Sequence, residues 1–175
     1  MFIAFICLVG IVGLAAWYSI PKGINQEFDG FVYGVGGKSN QINEKVTITI
    51  KGSYHKKIFN QDRFKGTIDI KGDVPKDIII DNKEVEVVFL GNNGTLSFRD
   101  YSHPTDRNTY GNLYINNDFS ELTIIVYDLV ESGSDNATYE WDPEGGLLIS
   151  GPATTRKEAI SISNKLNGDL LKPLE

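Results

Sequence analysis

The sequence predicts a mainly β fold of the α+β class. We expect an antiparallel sheet or sandwich of about eight to ten strands, with one C-terminal helix packed on it and a transmembrane helix before it. Three observations support this. Residues 1–20 are apolar, the segments that follow alternate apolar and polar residues between turn signals, and only one capped, amphipathic segment comes near the end of the sequence. Strands joined by short turns rather than helical crossovers are antiparallel.

The first element is the apolar run at residues 1–20, which contains no charged residue, histidine, asparagine or glutamine. A helix of this length rises ~30 Å, which matches the hydrocarbon core of a bilayer. Trp17 and Tyr18 stand where aromatic rings favour the headgroup level, and Pro21 and Lys22 then end the run. We therefore predict a transmembrane anchor or signal-anchor and membrane attachment through residues 1–20. The alternative is a cleaved secretory signal, because Gly13, Ala15 and Ala16 place small residues near possible cleavage points.

The orientation of this anchor sets the predicted location. Lys22 is the only cation close to the run, and its position on the C-terminal side opposes export when it is taken alone. A hydrophobic leader with almost no preceding tail is nevertheless typical of an export signal. We predict a single-pass protein of the cell membrane, with a tether at 21–29 and one β-rich domain at 30–175 outside the cytoplasm.

The strands follow from residue alternation with period two. Short strands are predicted at 30–35, 45–51, 66–72, 77–81, 137–141 and 147–150. A hairpin is predicted between 84–90 and 95–99, where Asn93-Gly94 suits a tight turn, and a second one between 112–116 and 122–129. Because both faces of 122–129 are largely apolar, other parts of the protein should cover each face of the sheet at this strand.

A helix is predicted at 155–167. Thr155 and Glu158 form a capping box, in which each side chain bonds the backbone amide of the other residue. Ala159, Ile162 and Leu166 follow at helical spacing and form an apolar stripe. Gly168 is a natural C-terminal cap, so the helix should end there and cover one face of the sheet.

Composition excludes several functions. The formal net charge is -6 and no Lys/Arg-rich face is evident, which argues against nucleic-acid binding. The only cysteine, Cys7, lies in the apolar run, so the domain has neither a disulfide nor a thiolate ligand. His55 and His103 are far apart in sequence, and the acidic residues lack calcium-loop spacing. We therefore predict no metal and no cofactor.

The polar segment 100–111 carries the candidate site. His103 lies close to Ser102 and Asp106, which are groups that a hydrolase uses, although catalytic triads are normally assembled from separate segments. Tyr101 and Tyr110 are aromatic residues in what reads as a polar loop, where binding residues are common. We predict a ligand-binding surface at Tyr101, His103 and Tyr110, and no catalytic residue.

Three segments, 64–72, 112–124 and 149–166, together with the apolar run, resemble small membrane-anchored proteins of Bacillus-type Gram-positive bacteria, a group of uncharacterised function. The resemblance implies an exported protein with one anchor, and it assigns no catalytic residue. We expect a non-catalytic binding or interaction module of unknown ligand, with an envelope protein as a possible partner. The alternatives are a membrane-tethered hydrolase that uses His103 and an accessory subunit of an envelope complex.

Overall fold

The computed structural model describes residues 9–10, 13, 17–35, 41–58, 60–74, 79–99, 107–132, 137–142 and 145–168. These residues include ten strands and the helix α1 at Arg156–Asn167. The strands are β1 Lys22–Gly34, β2 Asn43–His55, β3 Asp62–Gly72, β4 Ile80–Leu90, β5 Asn93–Arg99, β6 Arg107–Ile115, β7 Leu122–Val126, β8 Asp128–Ser132, β9 Ala137–Glu140 and β10 Leu147–Gly151.

Eight of the strands form a closed antiparallel barrel in the order β1-β10-β7-β6-β5-β4-β3-β2, and β8 and β9 pair as a separate two-stranded sheet. The prediction of an open sheet or a sandwich is therefore wrong. The barrel closes because β1 pairs on both sides: Lys22 to Tyr33 align with β2, and Phe31 to Gly34 also align with β10. Closure thus gives each of the eight strands a partner on both sides over at least part of its length, while Lys22 to Gly30 of β1 pair with β2 alone.

The N-terminal part of the chain also differs from the prediction. Crossing a bilayer takes about 20 consecutive apolar residues in a helix. The described residues contain no helix that is long and apolar enough, so they do not show the transmembrane helix with which the predicted fold began. Within the apolar run, residues 1–8, 11–12 and 14–16 lie outside the described part of the chain.

The segment predicted as a tether at 21–29 is the first half of β1. Ile24 and Phe28 are half-buried and pack against the barrel interior, while Asn25 and Glu27 between them are exposed. Gly30 follows on the inner face, where a Cβ atom would lie 2.4 Å from Cδ1 of Ile48. A larger residue at this position would require the Ile48 side chain to shift.

The lower end of the barrel, defined as the end at which β1 begins, is closed by aromatic rings. Phe119, in the turn between β6 and β7, is fully buried and adopts a positive φ of 61°. Its ring packs against Tyr54 and Phe64 at centroid distances of 5.1 and 5.3 Å, and against Phe89 at 6.1 Å. The opposite end, at which β2 begins, is called the upper end below.

Helix α1 confirms the predicted C-terminal helix with Thr155 and Gly168 as its caps, but the Glu158 carboxylate accepts from the amide of Thr154, one residue before the predicted partner. Thr155 accepts a hydrogen bond from the amide of Glu158, and the amide of Gly168 donates to Asn164. The helix packs on the outer surface of β1, β10, β7 and β6, which we call the covered wall. Beneath it lies a second apolar cluster that includes Tyr114, Ile125 and Leu148. The helix therefore provides the expected cover for the outer face of β7.

Candidate functional site

The outer surface of β2 to β5, which we call the open wall, contains a groove of about 910 Å³. Strand alternation explains its polar lining, since Ile48 and Ile50 point into the barrel while Lys51 points out. The same rule turns polar residues of β3, β4 and β5 outward. The side chains that give the groove its polar character are Lys51, Arg63, Lys65, Thr67, Glu84, Glu86 and Ser97.

Two paired glycines form part of the groove. Gly52 of β2 and Gly66 of β3 are Cα partners in the register of the two strands. A Cβ atom on Gly66 would lie 2.0 Å from the carbonyl oxygen of Lys51, and one on Gly52 would lie 2.3 Å from that of Lys65. Neither contact is sterically possible, so both positions require glycine. The backbones of β2 and β3 are thereby exposed to the groove at this pair.

Ion pairs order the charged side chains of the groove. Arg63 Nη1 lies 3.0 Å from Glu86 Oε1, and Lys65 Nζ lies 3.4 Å from the same oxygen. Desolvation raises the pKa of Glu86, but the charges and hydrogen bonds of Lys65 and Arg63 outweigh it and lower the pKa overall. In the described part of the chain Lys51 has no ion-pair partner. It can therefore pair with an anionic group of a ligand.

Charges of both signs allow this groove to bind a polar ligand. The groove contains the cations Lys51, Arg63 and Lys65 beside the carboxylates of Glu84 and Glu86. Among the residues that the structure describes, no group of three or more potential metal ligands occurs. Fixed charges of both signs on rigid strands can recognise a polar ligand by charge complementarity.

The predicted site residues fall in two places. Tyr101 and His103 lie outside the described residues. Tyr110 does not belong to a polar loop, because β6 begins at Arg107 and includes it. Its side chain is only 8% exposed, and its ring meets that of Phe98 edge-on at a centroid distance of 5.6 Å. A shared binding surface of the three residues stays a prediction, and Tyr110 contributes to the apolar barrel interior.

His55 contacts Ser53, as a catalytic base contacts its nucleophile. The Oγ atom of Ser53 lies 3.1 Å from Nε2 of His55, on the same strand. Nucleophilic catalysis by such a pair needs an acid that orients the imidazole. No described residue forms a second hydrogen bond with His55. The pair therefore lacks the third member of a triad within the described structure.

A buried hydroxyl cluster joins α1 to the covered wall. Ser163 of α1 lies 2.9 Å from Ser150 and 3.2 Å from Thr123, measured between side-chain oxygens, and it also bonds the hydroxyl of Tyr33. Burial raises the pKa of Tyr33, although bonds to Ser163 and Ser150 and the charge of Arg156 act in the opposite direction. Because the cluster is closed to solvent, we interpret it as a structural contact that fixes the position of the helix.

Sequence reasoning missed the groove. The alternation of apolar and polar residues correctly predicted that Lys51, Thr67 and Glu86 point outward. It does not give the strand order, so the proximity of these residues could not be predicted. It also missed Ser163, which is buried although it lies within the predicted helix. The available signal was Thr123 on a strand whose other residues are apolar, since a buried hydroxyl needs a partner.

No protein-family model, curated protein or solved structure matches this chain. Its function must therefore be inferred from its own residues.

Proposed function

We propose that this protein is a non-catalytic binding module that is attached to a membrane through residues 1–20, with its barrel outside the cytoplasm. The groove of the open wall is the proposed ligand site, and the ligand is an extended, polar segment of an envelope protein that carries an acidic group. One observation carries the proposal: Lys51 stands without an ion-pair partner in the described structure, beside the ordered group of Arg63, Glu86 and Lys65.

The rigidity of the groove supports a binding role. Its charged side chains project from strands of a closed barrel, and strands hold side chains more precisely than loops do. Arg63 and Lys65 are further held by the shared carboxylate of Glu86. Such preorganised charges lose little conformational entropy when a ligand arrives. The volume of about 910 Å³ is within the range of known ligand sites.

The chemistry of the lining supports a polar, acidic ligand. Lys51 offers a charge for a carboxylate, Thr67 and Ser97 offer hydroxyl groups, and Val88 adds a small apolar contact. A peptide often binds by adding a strand to the open edge of a sheet. Each of the strands β2 to β5 is paired on both sides, so at this groove recognition must use side chains. We therefore place the specificity of the module in the outward residues of β2 to β5.

Photo-crosslinking in living cells tests the site. A photoreactive amino acid replaces Ser97 or Thr67 in the full chain, and Ser161, which is exposed on α1, serves as the control position. We expect one protein partner to crosslink from both groove positions and not from position 161. Absence of a crosslink from the groove, or equal capture from position 161, would contradict the proposed site.

Protease treatment of intact cells tests the proposed location separately. A barrel outside the cytoplasm should be accessible to added protease before the membrane is breached. Protection of residues 22–168 until the cells are lysed would show that the barrel faces the cytoplasm.

A further inference from the structure

The lower end of the barrel exposes most of the large apolar side chains found on the surface. Among the described residues, and apart from Val9, the exposed large apolar side chains are those of Trp17, Tyr18, Ile20, Ile58 and Leu90. Ile58 follows β2, Leu90 ends β4, and residues 17–20 precede β1. All of these places are at the lower end. Leu90 is the last residue of a strand and is 77% exposed. Ile58 lies shortly after a strand and is 46% exposed.

Residues 17–20 contact the same part of this end. The ammonium group of Lys56 lies 5.6 Å from the ring centroid of Tyr18. Lys22, the first residue of β1, is the register partner of Tyr54 near the end of β2. The loop after β2 and the chain that leads into β1 are therefore neighbours. They form one surface with the end of β4, because β2, β3 and β4 are consecutive in the barrel.

This surface is basic although the whole chain has a net charge of -6. Lys22, Lys56 and Lys57 lie on it, and the carboxylate nearest in sequence to Lys56 and Lys57 is that of Asp62. The carboxylate of Asp62 accepts one hydrogen bond from the Tyr54 hydroxyl at 2.7 Å and another from the Lys57 amide at 2.9 Å. Apolar side chains beside lysines match the interfacial layer of a bilayer that contains anionic lipid.

The opposite side of the lower end has a different character. Asp118, in the turn between β6 and β7, accepts hydrogen bonds from the side chain and the backbone of Ser120, and these bonds lower the pKa of its carboxyl group. Glu121, which follows, is paired with Lys165 of α1. These charged carboxylates favour water, so only the side of β1 to β4 is suited to contact with lipid.

We infer that the lower end of the barrel docks on a lipid bilayer surface. Ile58 and Leu90 enter the interfacial layer together with Trp17 and Tyr18, and Lys56 and Lys57 contact anionic headgroups. The inference rests on the proposed membrane attachment and adds the orientation of the barrel to it. Residues 17–20 lead into β1 at this same end, so a chain attached through residues 1–20 brings the docking surface to the bilayer. The upper end then points away from the membrane.

Spin-label accessibility on the full chain tests this orientation. In a Cys7→Ser background, a nitroxide is attached at Leu90→Cys, at Ile58→Cys or, as the control, at Glu44→Cys, which is exposed at the upper end. The protein is reconstituted into vesicles of phosphatidylcholine and phosphatidylglycerol. Compared with the protein before reconstitution, we expect labels 90 and 58 to be several times less accessible to a nickel chelate and more accessible to oxygen. Label 44 should not change.

A second measurement tests the lysines. Lys57→Ala should lower the ratio of docked to undocked labels at position 90 about fivefold, as expected for one lysine at an anionic surface. Lys45→Ala removes the same charge at the upper end and should leave this ratio unchanged.

Flotation of the vesicles distinguishes the membrane attachment of the protein from the docking of its lower end. Protein that floats with vesicles while labels 90 and 58 stay as accessible to nickel as label 44 is attached but not docked, and this overturns the inference alone. Protein that does not float overturns the membrane attachment and, with it, the docking. Protection of label 90 in cells but not in vesicles would assign the surface to a protein partner and would also overturn the inference.

Discussion

The covered wall and the open wall belong to one barrel but differ on their outer surfaces. On the covered wall, Ile125 and Leu148 point outward and are buried beneath α1, and all five residues of β7 are buried. On the open wall, the outward residues of β2 to β5 include Lys51, Lys65 and Glu86, which are exposed to solvent. The comparison shows that one outer face is buried beneath the helix, while the other stays accessible to solvent.

The two walls were already distinguishable in the sequence. Residues 122–126 are apolar on both faces apart from Thr123, whereas residues 45–51 alternate strictly between apolar and polar residues. A strand that is apolar on both faces needs cover on both faces. A strand that alternates needs cover on one. The amphipathic helix at the end of the described chain supplies the additional cover.

The largest expected effect separates the walls by stability. Ile125→Ala should lower the free energy of unfolding by about 2–5 kcal/mol, because it leaves a cavity beneath α1. Val88→Ala also shortens an outward aliphatic side chain, but on the open wall, and it should cost less than about 1 kcal/mol. Chemical denaturation of both variants measures the difference. Equal losses would show that the open wall is also covered.

A smaller effect is expected at the hydroxyl cluster. Ser163→Ala removes an oxygen that contacts Tyr33, Thr123 and Ser150, and it should cost about 1–3 kcal/mol because buried polar groups lose a partner. Ser161→Ala makes the same chemical change at an exposed position of the same helix and should change stability by no more than about 0.5 kcal/mol. Thermal denaturation measures the loss of stability in each variant. Equal losses in the two variants would rule out the role assigned to the cluster.

The smallest effect on stability is expected on the open wall. The pKa of Glu86 is lowered in the folded state from its ordinary value of 4.5, so the unfolded state binds more protons as the pH falls below this value. The ion pairs of Glu86 therefore stabilise the fold above pH 4.5, and this stabilisation is lost as the pH falls through the folded-state pKa. Because the side chain is 42% exposed, solvent reduces the effect to less than about 1 kcal/mol.

Glu86→Gln tests this pH dependence. The variant should be slightly less stable than the wild type at pH 7 and should lose less stability than the wild type when the pH is lowered through 4.5. Denaturation curves at several pH values give both quantities. A greater loss of stability in the variant at low pH would reverse the sign and contradict the ion-pair interpretation.

The sequence predicted local structure better than it predicted the closure of the barrel. The capping residues Thr155 and Glu158 defined the start of α1, and alternation identified β2 and β3. The turn between β4 and β5 was misplaced by two residues, because Gly91 rather than Gly94 adopts the positive φ. These features depend on neighbouring residues, so a short stretch of sequence contains most of the relevant information.

Closure and the groove could not be predicted, because both depend on residues that are distant in sequence. Phe31 of β1 pairs with Ser150 of β10, and no local pattern indicates that partner. Likewise, Arg63 and Glu86 meet only because β3 and β4 are adjacent in a defined register. Without strand order, the charged residues of the open wall could be assigned to an outer face but not to one site.

The most direct test of the open wall as a ligand site is charge reversal within β2. Lys51→Glu changes a groove residue, while Lys45→Glu makes the same change on the same outer face of the same strand, about 20 Å away. The yield of the partner crosslinked from Ser97 is measured in both variants. We predict that Lys51→Glu lowers the yield at least tenfold and that Lys45→Glu leaves it unchanged. Equal yields in the two variants would contradict the account.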